Sequence, residues 1–233
     1  MRALRDAGAI VLGKTNLHEL SFGWTSTNLA YGTVKNPYDP ARIPGGRSGG
    51  TAVAVATRMA PLGVAEDTCG SIRVPAAMSG ITGFRPTTFR YTPRGVMPLT
   101  SVYDTVGPHA RTVTDLALFD SVITGDVNPL RSVSLKGARL GISRAHYFTD
   151  LDPEVERVTD AALKKLREAG AVLVEADVPD LTRLVDAANF AMIEYMLPSH
   201  KEAHFRATDS SESPGRAAFD TGFEGTQASN QDL

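Results

Sequence analysis

Between Tyr31 and Ser79 the chain is built largely from Gly, Pro, Ser and Thr interleaved with small apolar residues. Packing alone does not select such a composition. Glycine at this density marks places where one backbone must come close to another group, or take a conformation that a side chain would oppose. Inside the stretch, Ser48 to Met59 carries the run Thr51-Ala52-Val53-Ala54-Val55-Ala56. It is apolar nearly all round, which predicts a helix buried beneath a site.

The flanking sequence predicts a mixed α/β chain. Residues 1–8 read as a helix that ends near Gly8, with a short strand from Ala9 to Leu12 after it. Leu166 to Val174 repeats that device almost word for word. Ahead of the repeat, Asp152 can cap a helix that has Pro153 at its first position, and Val155, Val158, Ala162, Leu166 and Ala169 then share one face, predicted to pack in the core. Strands are predicted at Leu140 to Ser143 and Ala171 to Glu175, giving a strand, helix, strand order. Another helix starts at Thr112 or Thr114 and runs through Ile123, followed by a loop from Gly125 to Leu130.

With 233 residues, of which 42% are apolar, there is material for one sizeable core. Residues 1–206 are read as that domain. Residues 207–233 are Ser, Gly, Asp and Glu with few large apolar groups, and are expected to form a poorly ordered tail. A net charge of -2 leaves no electrostatic excess for a nucleic-acid backbone or an anionic membrane. The apolar runs are short and interrupted, so no membrane span is expected. One cysteine, Cys69, excludes a disulfide framework and a Cys-rich zinc site and fits a reducing, cytoplasmic setting. The five scattered histidines have no metal-ligand spacing.

The segment Asn36 to Thr87 carries a longer pattern. It reads Gly45-Gly46-Arg47-Ser48-Gly49-Gly50, then Asp67-Thr68-Cys69-Gly70-Ser71-Ile72-Arg73-Val74-Pro75-Ala76, then Gly83-Phe84-Arg85-Pro86-Thr87. This series resembles the amidase signature family. The likeness extends through Gly13-Lys14-Thr15-Asn16 upstream and Leu151-Asp152-Pro153-Glu154-Val155 downstream. Asn36-Pro37-Tyr38-Asp39-Pro40 and Asp104-Thr105-Val106-Gly107-Pro108 make it most similar to the indoleacetamide and mandelamide hydrolase type.

The resemblance implies an α/β amidase-signature fold, a mixed sheet flanked by helices on both faces, incomplete here at both ends. It implies hydrolysis of a small, aryl-substituted carboxamide to acid and ammonia by a Ser, bridging Ser, Lys triad, without metal or organic cofactor. Ser71 takes the place of the nucleophile. A serine hydroxyl needs a base, and in this family a lysine serves through the second serine. Burial must lower that lysine from about 10.4 so that it is neutral. Backbone N–H groups of Thr68, Cys69, Gly70 and Ser71 would turn inward to hold the oxyanion. Asp67 and Arg73 would pair to brace the turn; the plainer alternative is a surface ion pair.

Two departures stand out. Where the family has its bridging serine, this chain has Arg47, which has donors but no acceptor and cannot relay a proton. Ser48 next door could substitute, although one step along a tight loop points a side chain elsewhere. Cys69 replaces a glycine and would be strained if its φ were positive. The family's lysine belongs to a segment upstream of Ala7-Gly8-Ala9, where this chain starts; Lys14 belongs to a separate motif. Missing strands would leave apolar edges, which predicts self-association and a possible homo-oligomer. Three other readings stay open. Gly46-Arg47-Ser48-Gly49-Gly50 fits a nucleophile elbow with Asp104 or Asp115 and His146, but Pro40 and Pro44 spoil the strand it needs. A phosphate cradle lacks its motif. A chain that has lost turnover could keep an amide or carboxylate pocket in which Arg47 holds an anion.

Overall fold

The computed structural model describes residues 1–100, 102–126, 130 and 132–188. The expected tail at 207–233 lies outside these residues. Helices and strands alternate in an α/β chain that divides into two compact units near residue 128.

In the first unit, α1 (Arg2–Asp6) is followed by α2 (Gly49–Ala56), β1 (Leu62–Asp67), α3 (Arg73–Met78), β2 (Thr82–Gly83), β3 (Thr105–Ala110) and α4 (Val113–Thr124). The three strands form an antiparallel sheet in the order β1-β3-β2. In its register Leu62 faces Ala110 and Asp67 faces Thr105. Helix α2 covers this sheet, burying Thr51, Ala52 and Val55. Close approach requires glycine in the sheet itself, since a Cβ at Gly63 would lie 2.3 Å from the Thr51 methyl. The core continues through Ala65, Ile72, Ala76, Leu116 and Phe119.

Local signals placed α4 well. Thr112 caps it, accepting a hydrogen bond from the Asp115 N–H at 3.1 Å, and Gly125 ends it in the left-handed region at φ 74°. The expected strand at Ala9 to Leu12 does not form among the described residues. The segment has no strand partner there, and Ile10 and Leu12 are 85% and 71% exposed.

The second unit contains β4 (Arg139–Ile142), α5 (Arg144–Tyr147), α6 (Pro153–Glu168) and β5 (Val172–Glu175). Strands β4 and β5 pair in parallel, Arg139 with Val172 through Ile142 with Glu175. Asp152 caps α6 by accepting from the Glu154 N–H at 2.9 Å, with Pro153 in the first turn. Asp152→Ala is expected to lower stability by about 1 kcal/mol in denaturant unfolding. No measurable change would mean that the proline alone sets the helix start.

The apolar stripe on α6 exists, but it is not core. Val155 and Val158 are half exposed, and no α6 residue is buried among the described residues. A two-stranded sheet offers too little surface to cover a 16-residue helix.

Candidate active site

Three pieces of chain meet around Ser71: the Gly45–Ser48 loop ahead of α2, the turn from Asp67 to Ile72 between β1 and α3, and the loop from Leu99 to Asp104 ahead of β3. Glycine makes the first contact possible. Gly46 is left-handed at φ 61°, and a Cβ there would lie 2.7 Å from the Pro75 ring and 3.2 Å from the Ser71 Cα. The loop backbone thus lies directly against the serine.

Asp67 organises the turn. Its side chain is fully buried and accepts from the Gly70 N–H at 2.6 Å, the Ile72 N–H at 3.0 Å and the Arg73 Nε at 3.2 Å. Arg85 adds a donor to the Asp67 backbone carbonyl at 2.6 Å and lies 3.4 Å from its carboxylate. Burial pushes the Asp67 carboxyl up, but the hydrogen bonds from Arg73, Ile72 and Gly70 outweigh it and hold it below its ordinary value. The Asp67–Arg73 contact is therefore one buried carboxylate held by a half-exposed guanidinium, not a surface pair. Gly70, at φ 126°, supplies the conformation that lets its N–H reach Asp67. That N–H is accordingly turned onto the carboxylate and not toward an oxyanion. Cys69 is not among the positive-φ residues, so the strain considered for it does not arise. Burial raises the Cys69 thiol's pKa.

Ser71 itself is 2% exposed, and Arg47 covers it. The Arg47 backbone N–H and its Nε both donate to the Ser71 Oγ, each at 3.1 Å. The rest of the guanidinium is anchored as well: Nη1 donates to the Ser21 carbonyl at 2.9 Å and Nη2 to the Thr68 Oγ at 2.6 Å. Arg47 is itself 5% exposed, and burial lowers its proton affinity against the pull of Glu66 and Asp104. Thr68 thus enters the site through its hydroxyl.

Ser48 points elsewhere. Its hydroxyl donates to the Glu66 carbonyl and accepts from the Glu66 N–H, both at 3.2 Å, stitching the loop to β1. Lys14 is exposed. His146 belongs to the second unit, where Nδ1 lies 2.9 Å from the Thr182 hydroxyl. Among the described residues no His, Cys, Asp and Glu group of three or more could hold a metal ion, and no helix is long and apolar enough to cross a membrane.

Three further residues stand around Ser71; the sequence reading names Asp104 only as a partner for the nucleophile elbow, and gives His109 and Glu66 no role at the site. His109, fully buried, bonds through Nε2 to the Ile72 carbonyl at 2.8 Å and supports the turn behind Ser71; burial lowers its pKa. Asp104 accepts from Thr68. Glu66 has a buried carboxylate oxygen without a hydrogen-bond partner, and burial raises its pKa to about 7. A small recess lined by Glu66, Asp104, Tyr91, Phe89 and Val96 adjoins these groups. A glutamate one residue before the Asp67 motif was the available signal, and it has no meaning until β1 shows which way it faces.

The sequence matches the amidase family over residues 1–214. It is 41% identical over 195 residues to an indoleacetamide hydrolase of Rhizobium radiobacter, covering 84% of this chain and 42% of that protein. It is 43% identical over 192 residues to an indoleacetamide hydrolase of Pseudomonas savastanoi, covering 82% and 42%. An amidase crystal structure superposes with a TM-score of 0.74 at 34% identity, covering 96% of this chain and 51% of that one. The chain thus spans about half the length of the relatives it matches. The family match spans the Arg47, Asp67 and Ser71 loops, and the chain belongs to the amidase family.

Proposed function

We propose that this chain carries the nucleophile-bearing part of an enzyme that hydrolyses a small aryl-substituted carboxamide to its acid and ammonia. Ser71 attacks the amide carbonyl, its hydroxyl proton passes to the departing nitrogen, which leaves as ammonia, and water then cleaves the Ser71 ester, releasing the acid and returning a proton to the serine oxygen. The oxyanion is met by backbone N–H groups of the turn, that of Ser71 among them. The observation that carries the reading is the turn itself: a buried carboxylate, Asp67, fixes the backbone on both sides of Ser71. The indoleacetamide hydrolases among the relatives support an aryl acyl group. Residues 1–206 are read as belonging to this enzyme domain, and the small-molecule amide is its partner.

A second reading rests on Arg47. An oxygen has two lone pairs, and both donors of Arg47 lie on the Ser71 Oγ. Attack requires one of them to withdraw, and a guanidinium cannot take the hydroxyl proton. A chain held in this state binds an amide or carboxylate without turning it over.

Labelling with an aryl fluorophosphonate, followed by peptide mass mapping, separates the two. On the first reading Ser71 is labelled in the native protein, and Arg47→Ser accelerates labelling. Releasing a hydrogen bond of about 1.4 kcal/mol corresponds to about tenfold in rate. If neither protein is labelled while both remain folded, the binding reading replaces the hydrolytic one. Label on Ser48 would point to a nucleophile elbow instead.

A further inference from the structure

We propose that Asp104 is the positioning residue of this site: acting through the Thr68 hydroxyl, it fixes the Arg47 guanidinium on Ser71 and so sets how available the Ser71 hydroxyl is. The inference rests on the reading of Ser71 as the reactive group, but it is argued from a chain of hydrogen bonds with one possible direction. Arg47 can only donate and the Asp104 carboxylate can only accept. Thr68 has a single hydroxyl proton. It gives that proton to Asp104 Oδ1 at 2.5 Å, which leaves its lone pairs for Arg47 Nη2 at 2.6 Å. The order is therefore Arg47 to Thr68 to Asp104, and it cannot be reversed.

The other end of Asp104 is equally committed. Oδ2 accepts from the Leu99 N–H at 2.6 Å and the Thr100 N–H at 2.9 Å. One carboxylate thus joins the 99–104 loop to the guanidinium, and Thr68 is 5% exposed, so water does not readily replace the link. Whatever displaces this loop also loosens Arg47 from Ser71. Asn at position 104 breaks the logic without removing the side chain. Its carbonyl can keep the Leu99 and Thr100 N–H groups, but its NH₂ then faces Thr68 and donates. The Thr68 oxygen would have two donors directed at it and no acceptor for its own proton. The loop keeps a separate tie, from Arg85 Nη2 to the Tyr103 carbonyl at 2.9 Å, so the variant retains a route to the folded state.

The test is solvent exchange of the Arg47 Nε–H, followed by NMR, with the fluorophosphonate labelling rate of Ser71 measured alongside. Native protein and Thr68→Ser, which keeps the hydroxyl, are expected to show the same slow exchange. Asp104→Asn and Thr68→Val are expected to exchange about tenfold faster or more, with backbone amides of β1 and β3 unchanged. Unchanged Nε–H exchange in both variants overturns the proposal. So does equal loosening in Thr68→Ser, because a general packing defect would then be the cause. Exchange reads the clamp directly, so the proposal is decided even if Ser71 is never labelled, an outcome that would count against the hydrolytic reading alone.

Discussion

Asp67→Ala is expected to cost about 3–5 kcal/mol of folding free energy, a large part of the about 5–15 kcal/mol available to a domain. The estimate follows from what the substitution strands. The Gly70 and Ile72 N–H groups lose their acceptor inside the protein, and Arg85, whose side chain is 19% exposed, loses its counter-charge. Arg73 contributes less, because its side chain is 56% exposed and water can replace the carboxylate. Asp67→Asn keeps one acceptor oxygen and should fall between the two proteins. Urea unfolding at neutral pH measures both. A loss below about 1 kcal/mol for the alanine variant would show that the turn is held by its other contacts.

The same residue gives the acid limb of stability. Its carboxyl is held below its unfolded value, so its contribution is fully present above the unfolded pKa of about 3.8 and disappears as pH falls through the folded value. In Asp67→Asn that part of the acid destabilisation should be missing.

How much of this was legible beforehand depends on how local each signal is. Helices α4 and α6 are bounded by side chains that act on their own neighbours, Thr112 on Asp115 and Asp152 on Glu154, and both starts could be placed from sequence. Strands β1 and β3 were harder. Gly63, Gly107 and Pro108 look like loop residues, yet a Cβ at Gly107 would strike the Phe84 carbonyl at 2.1 Å, so a three-strand stack selects glycine there. The α6 stripe marked an apolar face correctly but not its partner, because periodicity carries no information about what lies opposite.

The site divides along the same line. The family resemblance points to Ser71, Asp67 and Arg73 together. It also showed that Arg47 cannot relay a proton, but not that Arg47 would lay two donors on the Ser71 oxygen while Ser48 was spent on Glu66. Both facts depend on a loop and a strand meeting across 18 to 24 residues of sequence. The resemblance places the Gly70 N–H on an oxyanion. The buried carboxylate three residues earlier claims it instead, at 2.6 Å.

Glu66→Gln should produce the opposite pH signature to Asp67, and a stabilised protein. Burial raises the Glu66 pKa from 4.5 to about 7, against the attraction of Arg47 and with the help of Asp104 and Asp67. Between those two values the folded chain binds more protons at this position than the unfolded chain, so stability falls as pH rises across the window and is level above it. At about 1.4 kcal/mol per pH unit the upper bound is about 3 kcal/mol. Glutamine has no such dependence. The variant should match the native protein near pH 4.5 and exceed it by up to that amount at pH 8. Losing the negative charge also deprives Arg47 of a neighbour that supports its positive one. That attraction is already included in the balance that leaves Glu66 raised, so the neutral side chain still wins at high pH. Denaturant midpoints for the two proteins at pH 4.5, 6 and 8 provide the comparison. Parallel profiles would mean that Glu66 is solvated in the folded state, and a less stable variant at pH 8 would mean that the Glu66–Arg47 attraction outweighs the burial.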